Sequence, residues 1–442
     1  MTSDLPIGPL FTDLYELTMA AGYFEHQVTA PATFTLSVRE SIHRNFFIAA
    51  GLEDVLDGLT AFRFSNDDIA YLQSTRLFKP PFLEYLKGWR FSGDLVAMPE
   101  GTVFFANEPV IEVTAPLIEA QIIETFLLNT IGLQSMIATK AARCVHAAQG
   151  RALIDFALRR THGVDAGVKV ARSTYLAGFD GTSNVLAGQH YGIPISGTMA
   201  HSYILAFDNE AQAFQAYADT FPDRSIFLID TYDTIDGAHQ AVSVAQAMKT
   251  QGNNLIGVRL DSGDMVALSQ AVRRILDDAG LTDVKIFASS GFDEFKIADV
   301  LADGARIDAF GVGTKVGVSA DAPYMDVVYK MVQFNGRQVR KLSPHKRTLA
   351  GAKQVFRSQS GDRIEGIIGL RDEDFEGMTP LLESVMKQGR CTRPHPPLDT
   401  IRTHCYANLA ALPEKYKSIS KYTSAPVSLS AQLDQIQKRL GE

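Results

Sequence analysis

Between residues 150 and 330 one pattern recurs, and it limits the folds open to this chain more than any other feature. A short apolar run ends in a polar or glycine-bearing cluster, and an amphipathic helix follows. Ser225–Asp230 (SIFLID) opens into TYD, Leu255–Leu260 (LIGVRL) into DSGD, and Val284–Ala288 (VKIFA) into SSGFDE. Ile307–Thr314 reads IDAFGVGT. The clusters at Thr198, Asp230, Asp261 and Ser290 stand 32, 31 and 29 residues apart, room for one strand, one helix and two loops. Strands apolar on both faces belong to parallel sheets covered by helices. The helix after Asp230 aligns Ala238, Ala241, Val242, Ala245 and Met248 on one face. The next aligns Leu268, Val272, Ile275, Leu276 and Ala279, and Gly280 stops it. Ala152–Leu158, opening into RRTHG, and Pro194–Ser202, before a helix carrying Phe214, Tyr217, Ala218 and Phe221, are weaker copies. Repeated units of this length close into a barrel, with an open doubly wound sheet as the alternative.

The expected fold is therefore α/β: an irregular α/β barrel with a flanking β-rich α+β domain built from both chain ends. Its parts are an N-terminal α+β domain over 1–125, the barrel over 126–325, and a segment over 326–442 partly completing the first domain. Helices are predicted near 51–87, strands near 94–114, and a hairpin turning at Asn335-Gly336. At 46% apolar and 21% charged residues, the 442-residue chain can bury large cores. A net charge of −8 gives no support for bulk nucleic-acid or membrane binding. Cys144, Cys391 and Cys405 are too few and too scattered for a disulfide framework or zinc knuckle. With no long apolar run near residue 1, the expectation is a cytoplasmic enzyme.

In a parallel barrel all strand C-termini share one face, so residues just past each strand converge. Arg159, Arg160, Thr182, Ser183, Thr198 and His201 come from the early copies. Asp230, Tyr232, Asp233, Arg259, Asp261 and Asp264 come from the middle ones, and Ser289, Ser290, Gly291, Gly313 and Thr314 from the last. Arginines suit anions, aspartates suit sugar hydroxyls or hydrated Mg²⁺, and late glycine turns offer backbone N–H groups to phosphate. Each piece alone has a plainer reading. Asp261 or Ser262 could simply cap a helix, His201 could be a satisfied core histidine, and Arg159-Arg160 could be a solvated pair. Lys315 has no neighbour in sequence that argues for an amine nucleophile.

Nine ordered motifs go further. TDLYELTM (12–19), DFALRR (155–160), GFDGTSNVLAG (178–188), SGTMAHS (196–202), LIDTYD (228–233), VRLDSGD (258–264), ASSGFDE (288–294), FGVGTK (310–315) and KLSPHKRTLAGAKQVFR (341–357) together resemble nicotinate phosphoribosyltransferase. The resemblance implies a type II phosphoribosyltransferase fold, a homodimer with shared active sites, and Mg²⁺. It implies the reaction of nicotinate with phosphoribosyl pyrophosphate, coupled to ATP hydrolysis, in NAD biosynthesis. Motif by motif, Phe156 and Tyr15 of the partner subunit would sandwich the pyridine ring. Arg259 and Thr198 would take the nicotinate carboxylate. Asp261 would hold ribose hydroxyls, with Asp230 and Asp264 close by and Mg²⁺ near Asp230 through water. Arg159, Ser289, Ser290, Gly291, Gly313 and Thr314 would hold phosphates, and His201 would be phosphorylated from ATP. The nicotinamide-using relative carries Asp where Ser183 stands here, which implies preference for the acid. His345 stands where a glycine-like turn is expected, and no motif is assigned beyond residue 360. The competing readings are a nicotinamide or quinolinate phosphoribosyltransferase and a non-catalytic nucleotide-binding paralogue.

Overall fold

A computed structural model describes residues 8–343 and 348–441. The extreme N-terminus, His345 and the middle of the 341–357 motif lie outside the described residues. The chain divides into two compact units, residues 1–136 with 324–442, and residues 137–323.

The first unit draws on both chain ends. Strand Pro31–Val38 (PATFTLSV) is almost wholly buried. It pairs antiparallel with Pro109–Pro116 on one side and with Val327–Phe334 on the other. Asn335 and Gly336, at φ 47° and 73°, then make the tight turn that the Asn-Gly pair predicts. Asp94–Ala97 pairs with Pro109–Pro116 as expected, but Val103–Phe104 leaves that hairpin to join Phe47–Ile48. Three helices, Leu52–Ala61, Asn66–Ser74 and Pro80–Lys87, fill the predicted helical stretch. Glu112, wholly buried in the central sheet, accepts from Thr35 Oγ1 at 2.7 Å. It also pairs with Lys353 at 3.1 Å and Arg371 at 2.6 Å. Buried charge is tolerated when its lone pairs are all engaged in this way.

Helix Leu14–Glu25 is pinned from inside by Glu16, which is fully buried. Its carboxyl accepts from Thr12 Oγ1 at 2.5 Å, from Thr125 N–H at 2.9 Å and from the Thr125 hydroxyl. Burial pushes Glu16 up to about 7, against the pull of these donors, and nearby Glu124 adds to the rise. A carboxyl raised in the folded state stabilises the fold in acid. That contribution is lost as pH climbs from the ordinary carboxylate range through about 7. Glu16→Gln should therefore flatten the pH dependence and be the more stable protein above pH 7, by about 1–3 kcal/mol. Urea unfolding between pH 5 and 8 measures this, and parallel curves for the two proteins would refute it.

The second unit contains the repeated pattern. Its strands are β1 (Ala152–Asp155), β2 (Gly181–Thr182), β3 (Ile226–Leu228), β4 (Gly257–Leu260), β5 (Lys285–Ala288) and β6 (Ala309–Val312). They form one parallel sheet in the order β2-β1-β6-β5-β4-β3. Besides the second half of helix Glu124–Ala148, its helices are α1 (Val164–Leu176), α2 (Val185–Tyr191), α3 (His201–Ile204), α4 (Glu210–Thr220), α5 (Thr234–Thr250), α6 (Met265–Asp278), α7 (Glu294–Ala302) and α8 (Thr314–Gly317). The expected strand copy at Pro194–Ser202 does not form. A single bridge joins Ile195 to Thr182, and Ser196 N–H donates to the Thr182 carbonyl at 2.9 Å. Pro194 lacks an N–H, so a full ladder cannot extend through it. This is where the barrel is irregular: among the described residues no strand pairing links Ile195 to β3. On α4 the buried residues are Glu210, Ala213, Phe214 and Ala218, while Phe221 falls at the C-cap and is exposed. Three strand-to-helix turns end in aspartate caps, Asp233 for α5, Asp264 for α6 and Asp293 for α7. Beneath α7, buried Glu294 pairs with Lys140 at 2.5 Å and Arg143 at 2.8 Å.

Candidate active site

The ends of β1 and β2 are tied together by Asp155. Its carboxylate accepts from Ala157 N–H at 2.8 Å and Thr182 Oγ1 at 2.7 Å, and its carbonyl accepts from Ser183 N–H at 2.8 Å. Burial pushes the Asp155 carboxyl upward, and both donors pull it back. Phe156 and Ser183 thus start from a fixed frame. Phe156 N–H donates to the Val312 carbonyl at 2.9 Å, and its ring lies against Gly311 of β6. A Cβ at Gly311 would come within 2.5 Å of that ring. Gly311 was not among the sequence candidates, although a glycine inside a strand is itself a signal of close approach. The Ser183 hydroxyl makes no hydrogen bond among the described residues.

At the ends of β3 and β4 the polar groups interlock. Asp230 is buried, and its Oδ2 accepts from Asp261 N–H at 2.9 Å and Ser262 Oγ at 2.6 Å. Its other oxygen, Oδ1, is buried with no partner among the described residues. The Asp261 carboxylate accepts from the Ser289 hydroxyl at the end of β5. Its second oxygen lies 3.7 Å from His201 Nε2. His201 Nδ1 in turn meets Thr231 Oγ1 at 3.1 Å, so one ring nitrogen is held while Nε2 faces the Asp261 carboxylate. The half-exposed imidazole is not the satisfied core histidine of the plainer reading. Arg259 donates to Thr198 Oγ1, bridging the gap that the missing strand leaves. Burial lowers the Arg259 pKa first, Asp261 and Asp230 oppose the shift, and Arg159 reinforces it. Its Nε stays buried without a partner among the described residues.

The helix cap in DSGD is neither Asp261 nor Ser262 but Asp264, whose carboxylate accepts from Val266 and Ala267 N–H at 3.0 and 3.1 Å. That leaves Asp261 free to face His201. Arg159 and Arg160, in a short 3₁₀ turn, are exposed, as is Tyr232. Ser290 and Gly291 both adopt positive φ, 94° and 65°, so the SSG turn presents its backbone in a conformation rare for a serine. Lys296, which sequence reasoning passed over inside α7, donates to the Ser290 carbonyl at 2.7 Å. Lys315 pairs with Asp293 at 2.9 Å, an ordinary ion pair. Gly313 and Thr314 open α8, with Gly313 packed close to the Phe156 carbonyl. Tyr15 belongs to the first unit and is exposed. No group of three or more His, Cys, Asp or Glu is placed to hold a metal among the described residues. No helix there is long and apolar enough to cross a membrane.

A half-buried arginine, interlocked aspartates and glycine turns on one edge of a parallel sheet define an anion-handling α/β enzyme. The chain belongs to the nicotinate phosphoribosyltransferase family. Its N-terminal domain model matches residues 10–132, the main family model residues 151–366, and the C-terminal domain model residues 371–437. The last match falls where the sequence carried no assignable motif. "Nicotinate phosphoribosyltransferase pncB2" of Mycobacterium tuberculosis is 47% identical, over 96% of this chain and 92% of that protein. The Bacillus subtilis nicotinate phosphoribosyltransferase is 39% identical over 95% and 92%. The crystal structure of human nicotinic acid phosphoribosyltransferase superposes with a TM-score of 0.86 at 29% identity, covering 97% of this chain and 99% of that one.

Gly311→Val should force the Phe156 ring from its place and lower stability by about 1–3 kcal/mol, the usual scale of an overpacked site. Denaturant unfolding measures this; a variant as stable as the parent would mean the ring moves freely.

Proposed function

We propose that this chain joins nicotinate to phosphoribosyl pyrophosphate, giving nicotinate mononucleotide and pyrophosphate for NAD biosynthesis, with ATP hydrolysis coupled to turnover. The observation that carries the reading is Arg259. It is a half-buried guanidinium oriented by Thr198, with a buried, unspent Nε–H, set beside carboxylates rather than sealed by them. A planar carboxylate meets such a fork with two hydrogen bonds. Phe156, seated on Gly311, offers an aromatic face, and Tyr15 of the partner subunit supplies the other in a homodimer. Ser183, with its hydroxyl uncommitted, donates to the same carboxylate.

The pyridine nitrogen attacks the anomeric carbon as pyrophosphate leaves, so positive charge develops on the sugar. The nitrogen is already a nucleophile, and no strong base is required. Asp261, held by Ser289 and the Asp230-braced turn, takes ribose hydroxyls and stabilises the developing charge. Asp230 Oδ1, a buried acceptor with no partner among the described residues, suits a water on Mg²⁺. When bound, the cation would neutralise the leaving pyrophosphate. Asp264 lies in the same turn and anchors α6. Arg159, Ser290, Gly291, Gly313 and Thr314 receive phosphate oxygens, and Lys296 braces that turn. A phosphoryl group on His201 from ATP would add roughly two negative charges beside Asp261, enough to rearrange the loop it shares with Thr231.

The test is direct. Incubation with phosphoribosyl pyrophosphate, Mg²⁺ and either nicotinate or nicotinamide, with and without ATP, should yield the mononucleotide of the acid, faster with ATP. Product from neither base would end the enzyme reading. Ser183→Asp should cut nicotinate kcat/KM by about 10- to 1,000-fold, because it sets a second carboxylate against the substrate's own; an unchanged acid-to-amide ratio would refute the role. His201→Ala should abolish ATP stimulation while leaving slow ATP-independent transfer, and full stimulation in that variant would remove the phosphohistidine.

A further inference from the structure

Ser290 is the backbone outlier of the site. Its φ of 94° lies beyond the left-handed well, whereas the other non-glycine residues of positive φ among the described residues fall between 45° and 67°. Such a conformation persists only where its surroundings impose it. Here the anchor is Lys296, the third residue of α7, whose Nζ donates to the Ser290 carbonyl at 2.7 Å. The lysine is fixed at both ends. Its N–H donates to the Asp293 cap at 3.0 Å. Its ammonium lies 4.6 Å from the centroid of the Phe292 ring, which is fully buried and edge-on to Phe310 of β6.

A lysine so placed is a poor choice for stability. It is half-buried, and among the described residues it pairs with no carboxylate and gives its charge to a neutral carbonyl. Burial lowers its pKa first, nearby Lys315 adds to the shift, and Asp293 opposes it. Ordering so long a side chain also costs entropy. What the contact fixes is a direction. In a trans peptide the C=O of one residue and the N–H of the next point to opposite sides. With the Ser290 carbonyl tied to the Lys296 ammonium, the Gly291 N–H points away from it. Ser290 and Gly291 are both exposed, and neither N–H makes a hydrogen bond among the described residues. We propose that Lys296 is a positioning residue for the phosphomonoester end of phosphoribosyl pyrophosphate: by holding the Ser290 carbonyl it aims the Gly291 N–H at that phosphate. The inference rests on the reading of the Ser289–Gly291 turn as a phosphate cradle. Phe156 and Ser183, which serve nicotinate, hang from β1 and β2, outside what Lys296 holds.

The experiment compares Lys296→Met, Lys296→Arg and Gly291→Val with the parent in steady-state kinetics with nicotinate, phosphoribosyl pyrophosphate, ATP and Mg²⁺. Ribose 5-phosphate and inorganic pyrophosphate serve as inhibitors that probe the two ends of the substrate separately. Far-UV circular dichroism and thermal melts report folding, and Lys296→Gln, whose amide falls short of the carbonyl, replaces a methionine variant that does not fold. Lys296→Met should raise the KM for phosphoribosyl pyrophosphate and the Ki of ribose 5-phosphate about 10-fold, the scale of one charge-assisted hydrogen bond. Its kcat, nicotinate KM and pyrophosphate Ki should stay within about threefold of the parent. Lys296→Arg, which keeps a charged donor, should recover to within about threefold. Gly291→Val, strained at φ 65°, should disturb the cradle directly and raise the same two constants. A parent-like KM and Ki in the methionine variant overturn the proposal, as does a rise in nicotinate KM or pyrophosphate Ki equal to that for ribose 5-phosphate. If Gly291→Val keeps the parent KM for phosphoribosyl pyrophosphate, the cradle reading has failed and the proposal with it; if that KM rises while Lys296→Met is parent-like, the role of Lys296 alone has failed.

Discussion

A parallel strand can be followed only by a crossover, so every strand of the second unit points its C-terminus to the same edge. Six strands between Ala152 and Val312 obey this constraint, and the chemistry depends on it. Asp155, Asp230, Arg259, Asp261 and Ser289 come from four strands and more than a hundred residues of chain and share that edge, where Asp230, Asp261 and Ser289 form one hydrogen-bonded network. The edge is also what makes the acids tolerable. Asp230 is engaged by an N–H and a hydroxyl, Asp261 by a hydroxyl with the His201 imidazole facing it, and Asp233, Asp264 and Asp293 by helix N-termini. Each carboxylate has a donor of its own, so the cluster keeps its acids beside the half-buried Arg259, the pairing that the proposed transfer calls for.

Much of this was legible in the sequence because the pattern has a period. Apolar runs near thirty residues apart mark β3, β4 and β5 correctly, and the polar residue after each run does face its neighbours. The motifs then name the chemistry. What the period could not show is which aspartate is spent on capping. Asp261, Ser262 and Asp264 are all competent caps, and only backbone geometry assigns that task to Asp264 and frees Asp261. Pro194–Ser202 looked like a strand because it is apolar and well spaced. Yet a proline at its head and Gly197 within it leave a bridge rather than a ladder.

Gly311 and the burial of Glu210 were missed for opposite reasons. The glycine lies inside FGVGT, where the turn is the conspicuous signal and the strand residue beneath the Phe156 ring is not. The glutamate sits in DNEAQ, a polar stretch that reads as a solvated helix start. Its one clue was distance, four residues from a phenylalanine that had been placed on the buried face. In the first unit the hairpin at Asn335-Gly336 was readable from two residues, whereas the departure of Val103–Phe104 to a separate pair of strands left no mark in the alternation.

The central strand of the first unit has a consequence for how the chain is made. Pro31–Val38 is flanked by one partner that follows within about eighty residues and by another, Val327–Phe334, that emerges from the ribosome only after the whole of the second unit. Glu112 waits in the same way for Lys353 and Arg371. During synthesis the N-terminal segment therefore spends the time of nearly two hundred further residues with an open sheet edge and an uncompensated carboxylate. The second unit, contiguous in sequence, can complete itself in that interval, so vectorial synthesis imposes an order: the inserted unit matures first, and the host closes behind it.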